Sequence, residues 1–276
     1  MSGTLVVVGT PIGNLADLSP RAVETFERAD VILCEDTRRT RQLLTHAGVH
    51  GKRLVTVDAH REAQSVKPVV EWLREGKRVV LVSDAGMPAV SDPGGRLVAA
   101  VTAAGLDVEV VPGPSAALAA LVASGLPTDR FCFEGFLPRK GAERKQRLGT
   151  VAGETRTTIL FEAPHRLGAT LADLEAACGG GRRVALAREL TKVHEEVWRG
   201  PLGEAVRRAA ESEPRGEHVI VLAGRPPATG PPDEEVEAAV RARLEAGQSA
   251  RDAAQAVAEE LAVARRRAYE MALRLK

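Results

Sequence analysis

The sequence predicts an α/β protein, and three observations carry that prediction. Short β-branched apolar runs alternate with amphipathic segments from residue 4 to about residue 224, the order that builds sheets flanked by helices. Hydrophobic residues make up 44% and charged residues 27% of the 276 residues, an ordinary composition for a globular protein. This length is enough for two domains, and a purely helical pattern follows them near the end of the chain.

The first half is expected to form one parallel sheet. Its strands are predicted at 4–8, 31–34, 54–57, 78–82 and 108–111. The helices between them are predicted at 20–29, 40–47, 66–75 and 96–104. The first of these helices has Ser19 as its N-cap and Pro20 at its first position. A helix between each pair of strands predicts parallel pairing, and we assign residues 1–113 to this N-terminal domain.

The second half is expected to form a mixed sheet. Its strands are predicted at 131–134, 157–161, 183–187, 195–198 and 218–223. Its helices are predicted at 115–124, 142–148 and 165–177. Several of these strands follow one another over short links, which favours antiparallel pairs. We assign residues 114–224 to this C-terminal α/β domain.

The end of the chain is expected to be a small helical unit. Residues 225–232 are rich in proline and read as a linker. Helices are predicted beyond it at 234–245, 250–260 and 263–275. The unit at 233–276 is therefore helix-turn-helix-like, although any three-helix bundle would give the same pattern.

Bulk properties exclude several classes of protein. The formal net charge is +1, so any surface for nucleic acid has to be local. The three cysteines, Cys34, Cys132 and Cys178, are odd in number and widely spaced, and fit neither a disulfide framework nor a metal site. No apolar run approaches 18 residues, and no N-terminal export signal is present. These features predict a reduced, cytoplasmic protein without a membrane segment or a metal.

The most informative stretch is SDAGMPAVSDPG, residues 83–94. It follows a buried strand and precedes a helix, so it lies at the carboxyl end of a parallel strand, where open sheets bind ligands. A crossover loop needs only about two to six residues, and this one is about twice as long. Asp84 and Asp92 are the carboxylates of the stretch. We expect Asp84 at a ligand site and Asp92 at the N-cap of the helix that follows.

The loop after the first strand argues against a dinucleotide site. GTPIGN, residues 9–14, lacks both the GxGxxG and the GK[ST] pattern, although Glu35 lies near the spacing of an acidic ribose ligand. Pro11 has no N–H and removes a donor from the place where a phosphate would bind. An uncharged or cationic ligand without phosphate is favoured, and S-adenosylmethionine has this chemistry.

Seven motifs, in order, resemble a known family. They are GTPIGNLADLSPRA (9–22), CEDTRRT (34–40), SDAGMPAVSDPG (83–94), PGPSA (112–116), GLPTDRFCFEGFLPRK (125–140), FEAPHRL (161–167) and RELTKVHEE (188–196). Together they resemble the ribosomal small-subunit methyltransferase I group of the tetrapyrrole methylase-like superfamily, over about residues 4–224. Met87 and residues 58–60 differ from the residues expected for the family, but the glycines and prolines of the motifs are present.

The resemblance implies a fold, a reaction and partners. It implies the two-domain tetrapyrrole methylase-like fold with a cofactor cleft between the domains, and a homodimer. It implies an S-adenosylmethionine-dependent 2′-O-methyltransferase whose substrate is a cytidine of 16S rRNA in the decoding region of the small ribosomal subunit. Two alternatives stay open: a tetrapyrrole or corrinoid methyltransferase with the same fold, and a non-catalytic ribosome-binding factor.

Candidate cofactor residues follow from the strand ends and from the resemblance. They are Pro11, Asp84, Gly86, Met87, Ser115, Ala116, Phe161, Ala187 and His218. Ser115 is also the expected N-cap of the helix behind it, and both roles are compatible. His218 heads a predicted strand, where a histidine is often only a satisfied edge residue.

Candidate RNA-binding and catalytic residues are less sharply indicated. The expected RNA contacts are Arg38, Arg39, Phe136, Arg139, Lys140 and Lys145, with Phe136 as a ring for stacking on a base. Phe131 and Phe133 are expected in the core. A general base is needed because a ribose hydroxyl is a poor nucleophile. Asp36 and Glu134 are the favoured candidates for it, and His60 and Glu162 are further ones. Lys192 is expected as a cation that lowers the pKa of a neighbouring group.

Overall fold

The structure is a computed structural model that describes residues 2–58, 61–211, 216–226 and 231–275. Its first sheet has five strands: β1 (Thr4–Val8), β2 (Val31–Cys34), β3 (Arg53–Thr56), β4 (Val79–Leu81) and β5 (Asp107–Val111). They are ordered β3-β2-β4-β1-β5, and every neighbouring pair is parallel. The predicted parallel sheet is confirmed.

Helices cover both faces of this sheet. They are α1 (Pro20–Arg28), α2 (Thr37–His46), α3 (Glu62–Arg74) and α4 (Gly95–Ala103). Successive residues of a strand point to opposite faces. Val6 and Val8 of β1 therefore pack with α1 and α2. Leu5 and Val7 pack with α3 and α4 on the other face. Strands buried on both faces explain the unbroken apolar runs in the sequence.

Two helices begin earlier than predicted. α2 begins at Thr37 rather than residue 40, because the Asp36 side chain caps it and accepts a hydrogen bond from the Arg38 N–H at 2.7 Å. α3 begins at Glu62 rather than residue 66, and its first residue is held by contacts to α4 that local sequence does not reveal. A tertiary contact of this kind overrides local signals at a helix end.

The second sheet is mixed, as predicted. Its strands are β6 (Phe131–Phe136), β7 (Thr157–Glu162), β8 (Arg183–Arg188), β9 (Glu196–Pro201) and β10 (His218–Leu222). They are ordered β6-β7-β10-β8-β9. The β6–β7 pair is parallel, and the other pairs are antiparallel.

The described part of this second half contains four helices: α5 (Ala116–Ser124), α6 (Gly141–Gly153), α7 (Pro164–Cys178) and α8 (Leu202–Glu211). α8 was not predicted, although Leu202, Ala205, Val206 and Ala209 have the i, i+3, i+4, i+7 spacing of an amphipathic helix. α6, α7 and α8 cover one face of the sheet. α5 covers the other face, where Ile12 from the loop after β1 joins the same cluster. This loop therefore packs against both halves of the chain.

The last helices form a unit with its own core. They are α9 (Asp233–Glu245), α10 (Ala250–Glu260) and α11 (Arg265–Arg274). Val236, Val240, Val257 and Ala268 are among its buried residues. Contacts divide the chain into Met1–Arg225 and Pro226–Lys276. The boundary near residue 113 stays a prediction, and residues 227–230 of the predicted linker lie outside the described residues.

No helix within the described residues combines the length and the apolar character needed to span a membrane. The three cysteines are free thiols. Cys34 is buried, and Cys132 and Cys178 are partly buried.

Candidate active site

The loops after β1 and β4 are joined to each other. Thr10 N–H donates to Gly86 O at 2.9 Å, and Gly86 N–H donates to Thr10 O at 3.1 Å, which makes a short antiparallel bridge. Gly86 has a φ of +80°, in the left-handed region that favours glycine. The long stretch after β4 is therefore held against the first loop by backbone hydrogen bonds.

The loops after β1 and β5 touch at two glycines. A Cβ atom on Gly9 would lie 2.6 Å from Gly113 N and 2.6 Å from Met87 Sδ. A Cβ atom on Gly113 would lie 2.7 Å from the carbonyl carbon of Gly9. Both distances are below contact, so neither position accepts a side chain without movement of the backbone. This close approach brings the ends of three neighbouring strands, β4, β1 and β5, to one place.

A cavity of about 310 Å³ opens at these strand ends, and we call it the first cavity. Among its lining residues are seven of the predicted cofactor residues: Gly86, Met87, Ser115, Ala116, Phe161, Ala187 and His218. Sequence reasoning missed several others, including Ile12, Val90, Leu190 and Glu217. Ile12 and Leu190 lie within motifs quoted above, so their place in the chain was a usable signal. Pockets of this size bind small molecules.

The first cavity is apolar with an acidic component. The charged residues among those that line it are Asp92, Glu162 and Glu217, and none of the lining residues is a lysine or arginine. Phe161 forms edge-to-face contacts with Phe133, at 5.0 Å between ring centroids, and with Phe136, at 5.7 Å. This environment suits an apolar or cationic ligand and disfavours a phosphate.

His218 offers a hydrogen-bond acceptor in this cavity. Its ring Nδ1 lies 3.0 Å from Gly216 O, so Nδ1–H donates to that carbonyl. Burial lowers the pKa of His218, and the nearby Arg188 lowers it further. A neutral imidazole with a proton on Nδ1 leaves Nε2 as an acceptor. His218 lies on β10, between β7 and β8, and lines the first cavity, and its cofactor role stays a prediction.

A second cavity of about 270 Å³ adjoins the first, and Ile12, Ala85 and Glu217 line both. Pro11 and Asp84, the remaining predicted cofactor residues, line this second cavity. Each of them precedes a shared residue in the chain, Ile12 or Ala85. The second cavity is more polar, and Arg39, Gln42 and Lys192 also line it.

Asp84 connects the end of β4 with the start of α2. Its Oδ1 accepts a hydrogen bond from the Asp36 N–H at 3.1 Å. Its Oδ2 lies 3.6 Å from Arg39 Nη1. Asp36 is the N-cap of α2, so the Asp84 carboxylate lies at the positive end of that helix.

Two further carboxyl groups lie close to Asp84, and both have raised pKa values. Burial, followed by the charges of Asp92 and Asp84, raises the pKa of Glu35 to about 7. Burial raises the pKa of Asp92 to about 6, and Asp84 contributes. Glu35 Oε1 is buried without a hydrogen-bond partner among the described residues.

The expected N-cap role of Asp92 is wrong. α4 begins after Gly94, and no side chain of its own N-cap residue bonds to it. Instead, Oε1 of the buried Glu62 accepts hydrogen bonds from the N–H groups of Gly94, Arg96 and Leu97, at 3.0, 2.7 and 3.2 Å. Asp92 is thereby left to face the first cavity.

The favoured base candidates are engaged with arginines. Asp36 accepts from Arg38 Nη2 at 2.9 Å, and the hydrogen bonds from Arg38 lower its pKa to about 2. Glu134 accepts from Arg147 Nε at 2.9 Å. Neither residue lines the cavities described above, and their catalytic roles stay predictions.

The further base candidates, Glu162 and His60, and the cation Lys192 have different surroundings. Glu162 lines the first cavity but is buried, and accepts from Thr170 Oγ1 at 2.6 Å and from the Ala163 N–H at 2.9 Å. Lys192 lines the second cavity. His60 lies outside the described residues.

The predicted RNA-binding residues fall into two groups. Arg38 and Arg39 lie on the first turn of α2, exposed to solvent, and Arg39 lines the second cavity. Arg139, Lys140 and Lys145 are exposed around the start of α6. Their neighbours Arg144 and Arg147 are instead paired with Asp173 and Glu134.

The phenylalanines of β6 differ from expectation. Phe136 is 50% exposed and lines the first cavity, so it lies at this cavity rather than only beside the basic residues. The expected burial of Phe131 is wrong, because its side chain is 39% exposed. Phe133 packs against the α5 side of the second sheet.

The described residues contain no group of three or more His, Cys, Asp or Glu side chains arranged to hold a metal ion.

Comparisons with known proteins agree on one family. Residues 4–206 match the family model described as Tetrapyrrole (Corrin/Porphyrin) Methylases. The chain is 44% identical over 276 residues to "Ribosomal RNA small subunit methyltransferase I" of Synechocystis, with 99% of each chain covered. A protein of the same name from Thermotoga maritima is 44% identical over 223 residues, which cover 81% of this chain and 99% of that protein. The Thermotoga relative is thus shorter than this chain.

Solved structures share the fold. The methyltransferase CobJ superposes with a TM-score of 0.62 at 23% identity, covering 81% of this chain and 95% of that one. A uroporphyrin-III C-methyl transferase from Thermus thermophilus, complexed with S-adenyl homocysteine, superposes with a TM-score of 0.56 at 21% identity, covering 80% and 97%.

Proposed function

Because the chain belongs to the tetrapyrrole methylase family, and within it to the ribosomal RNA small subunit methyltransferase I group, we propose that it methylates small-subunit ribosomal RNA with S-adenosylmethionine as donor. The observation that carries the proposal is the 44% identity to a protein of that name over 99% of both chains. The finer proposal is 2′-O-methylation of a cytidine ribose in the decoding region of 16S rRNA.

The first cavity fits S-adenosylmethionine by its chemistry. The donor has a sulfonium, an ammonium and an adenine but no phosphate, and the cavity has carboxylates and no lining lysine or arginine. We assign the cofactor role to Gly86, Met87, Ser115, Ala116, Phe161, Ala187 and His218. Pro11 and Asp84 are proposed to contact the donor where the two cavities meet at Ile12 and Ala85.

Each group of lining residues has a separate task in this proposal. The rings of Phe161 and Phe136 offer faces and edges for the adenine. Nε2 of His218 accepts a hydrogen bond from an amino group. The N-terminus of α5, which Ser115 caps through a hydrogen bond from the Leu118 N–H at 3.4 Å, favours the carboxylate of the methionine end.

Methyl transfer requires the protein mainly to align the ribose hydroxyl with the methyl group of the donor. When bound, the donor would supply a methyl group on a sulfonium: the C–S bond breaks as the new C–O bond forms, S-adenosylhomocysteine leaves, and the hydroxyl proton passes to a base. Positioning of the hydroxyl supplies much of the rate, and a base assists. Asp92 lines the first cavity with a pKa of about 6 and is deprotonated at neutral pH. We therefore add Asp92 to Asp36 and Glu134 as a proposed proton acceptor.

We propose that the protein acts as a homodimer in the cytoplasm. α5 has the sequence AALAALVAS and is apolar on every side, which is typical of a helix buried all round. Its inner side packs on the second sheet. Its outer side leaves Leu118 50% and Val122 75% exposed. A second copy of the chain would cover this face. The cytoplasmic location follows from the ribosomal substrate.

The function can be tested with small ribosomal subunits from cells that lack this protein. Purified protein and methyl-labelled S-adenosylmethionine should place label on the ribose of one cytidine of 16S rRNA, mapped by resistance to alkaline cleavage. Label on a base, or on a corrinoid precursor instead of the subunit, would contradict the proposal. The absence of binding heat with millimolar donor would favour a non-catalytic ribosome-binding factor.

Two variants separate donor binding from RNA binding. His218→Ala should weaken S-adenosylhomocysteine binding about tenfold, because one buried hydrogen bond and ring contacts are lost. Replacing Arg139 and Lys140 by Gln should leave that affinity unchanged while it weakens RNA binding and flattens its salt dependence. Titration calorimetry and filter binding at several salt concentrations provide the measurements. An unchanged salt slope would exclude the α6 residues from the RNA surface.

A further inference from the structure

The second cavity adjoins the first cavity, where a methyl acceptor would have to bind. A methyl group can reach an oxygen only when that oxygen lies about 3–3.5 Å from the methyl carbon, in line with the bond that breaks. The acceptor must therefore enter from a space that opens onto the first cavity. The second cavity shares Ile12, Ala85 and Glu217 with it. By contrast, the cavity lined by Arg21, Arg28 and Arg78 shares no lining residue with it.

The walls of the second cavity come from both halves of the chain. The loop after β1, the first turns of α2 and the loop after β4 supply one side. Lys192 and Glu217 supply the other. The two sides are in contact, since the Asn14 N–H donates to Thr191 Oγ1 at 3.1 Å and a Cβ atom on Gly13 would lie 2.5 Å from Lys192 Cγ. The cavity is a defined recess between these segments.

Its cations suit a phosphate on either side of a ribose. Arg39 is only loosely held: its side chain is 63% exposed, and the distance of 3.6 Å from its Nη1 to Asp84 Oδ2 is long for an ion pair. Lys192 is fixed, with Nζ 3.1 Å from Glu189 Oε1 and 3.0 Å from Glu217 Oε2. An arginine can bind a phosphate in bidentate fashion. The charges of these two cations are offset by the carboxylates of Asp84 and Glu217, so the cavity is not strongly positive. Such a site suits the single phosphates on either side of a nucleotide in an RNA chain better than a polyphosphate.

The remaining polar groups suit a cytosine base. Gln42 lies one turn after Arg39 on α2, is exposed, and lines the cavity. Its amide both donates and accepts. Glu217 is an acceptor that matches the exocyclic amino group of cytosine. Uracil has a carbonyl oxygen at that position, which would face a carboxylate without a hydrogen between them.

We propose that the second cavity holds the target nucleotide, with Arg39 and Lys192 on its phosphates and with Gln42 and a carboxylate reading its base as cytosine. This proposal rests on the proposed function and adds the site and the groups that choose the nucleotide. In this proposal Arg39 binds a phosphate of the target nucleotide itself, and does not act only through nonspecific electrostatic attraction to RNA.

The smallest probe of this site is cytidine 3′,5′-bisphosphate, a ribose with phosphates on both sides and no other RNA. Its dissociation constant for the full-length protein is measured by calorimetry or NMR titration in the presence of S-adenosylhomocysteine. We expect saturable binding, at least fivefold tighter than that of uridine 3′,5′-bisphosphate. We expect Gln42→Ala to reduce this preference.

Two arginines of one helix provide a matched pair. Arg39→Gln should weaken binding of the cytidine probe about tenfold, the value of one charge-assisted hydrogen bond. Arg41→Gln removes the same charge two residues away, from an exposed residue that does not line the cavity, and should change binding less than twofold. Lys192→Met tests the opposite wall and should act like Arg39→Gln.

The outcomes separate this proposal from the proposed function. Equal effects of Arg39→Gln and Arg41→Gln, or no saturable binding of either probe to a wild-type protein that binds S-adenosylhomocysteine, would overturn the assignment of the cavity. A wild-type protein that binds neither S-adenosylhomocysteine nor small subunits would instead overturn the proposed function. A cooperative urea unfolding transition with a wild-type midpoint in each variant shows that the fold is intact.

Discussion

The Glu62 carboxylate stabilises a helix to which it does not belong. It is buried on α3 and accepts three backbone hydrogen bonds at the start of α4. An isolated helix start leaves such N–H groups unpaired. The glycines at this start supply no capping side chain of their own, so a distant glutamate takes that role.

Removal of this cap should be costly. Glu62→Ala is expected to lower the free energy of unfolding by about 2–3 kcal/mol, because buried N–H groups lose a charged acceptor. Glu62→Gln keeps one acceptor oxygen and should cost less. Glu71→Ala on the exposed side of α3 serves as control and should stay within about 0.5 kcal/mol. Urea unfolding gives the values, and equal effects at the two positions would rule out the cap.

Glu35 should make stability depend on pH. Its pKa is about 7 in the folded protein against an ordinary 4.5. The folded state therefore binds the proton more tightly than the unfolded state, and stability falls as pH rises from about 4.5 to 7. Glu35→Gln removes the charge, so the variant should be more stable than wild type at pH 8 by about 1 kcal/mol, after allowance for solvent screening.

The same comparison at low pH is the control for Glu35. Near pH 4 both states of the wild type are largely protonated at this position, and the two proteins should be equally stable. Thermal or urea unfolding across pH 4 to 8 measures the difference. A gap that does not change with pH would mean that the substitution acts through packing instead of charge.

The contact between the loops after β1 and β5 sets the shape of the site. Gly9→Ala would force a Cβ atom to within 2.6 Å of Gly113 N and Met87 Sδ. We expect a loss of about 1–3 kcal/mol in unfolding free energy and weaker S-adenosylhomocysteine binding, because Met87 lines the first cavity. Gly95→Ala in α4, where a Cβ atom meets nothing within 4 Å, should be neutral or stabilising by about 0.5–1 kcal/mol.

Strands were easier to predict than helix ends. β1 and β2 have the predicted bounds because β-branched apolar runs mark buried parallel strands directly. The starts of α2 and α3 were misplaced, since Asp36 and Glu62 act through side-chain contacts that periodicity does not contain. α8 was missed although its apolar spacing was readable.

Site residues at strand ends could be predicted from the sequence. Residues whose role depends on an ion pair with a distant segment could not. Gly86, Ser115, Phe161 and His218 line one cavity because the ends of successive strands converge. The pairing of Arg144 with Asp173 and of Arg147 with Glu134 depends on packing between distant segments. The raised pKa of Glu35 has the same origin, because burial and two neighbouring carboxylates produce it.

The exposed apolar face of α5, with Leu118 and Val122, is the proposed dimer surface. Val122→Glu should convert a dimer to a monomer in sedimentation or light-scattering measurements, because a charge in an apolar interface cannot be solvated. Val122→Thr has nearly the same shape and should weaken the dimer less. A wild-type protein that is monomeric at micromolar concentration would remove the basis of the dimer proposal.

The Glu62 cap also bears on the order of events during folding. Glu62 and Gly94 are separated by β4 and by the long loop behind it, so the first turn of α4 is completed only after α3 has come to lie beside it. Contacts between segments distant along the chain require loop closure and form later than local ones. During synthesis, the Gly94 end of the long loop would thus gain its cap only when both helices have docked, whereas the Gly86 end is held by its own bridge to Thr10.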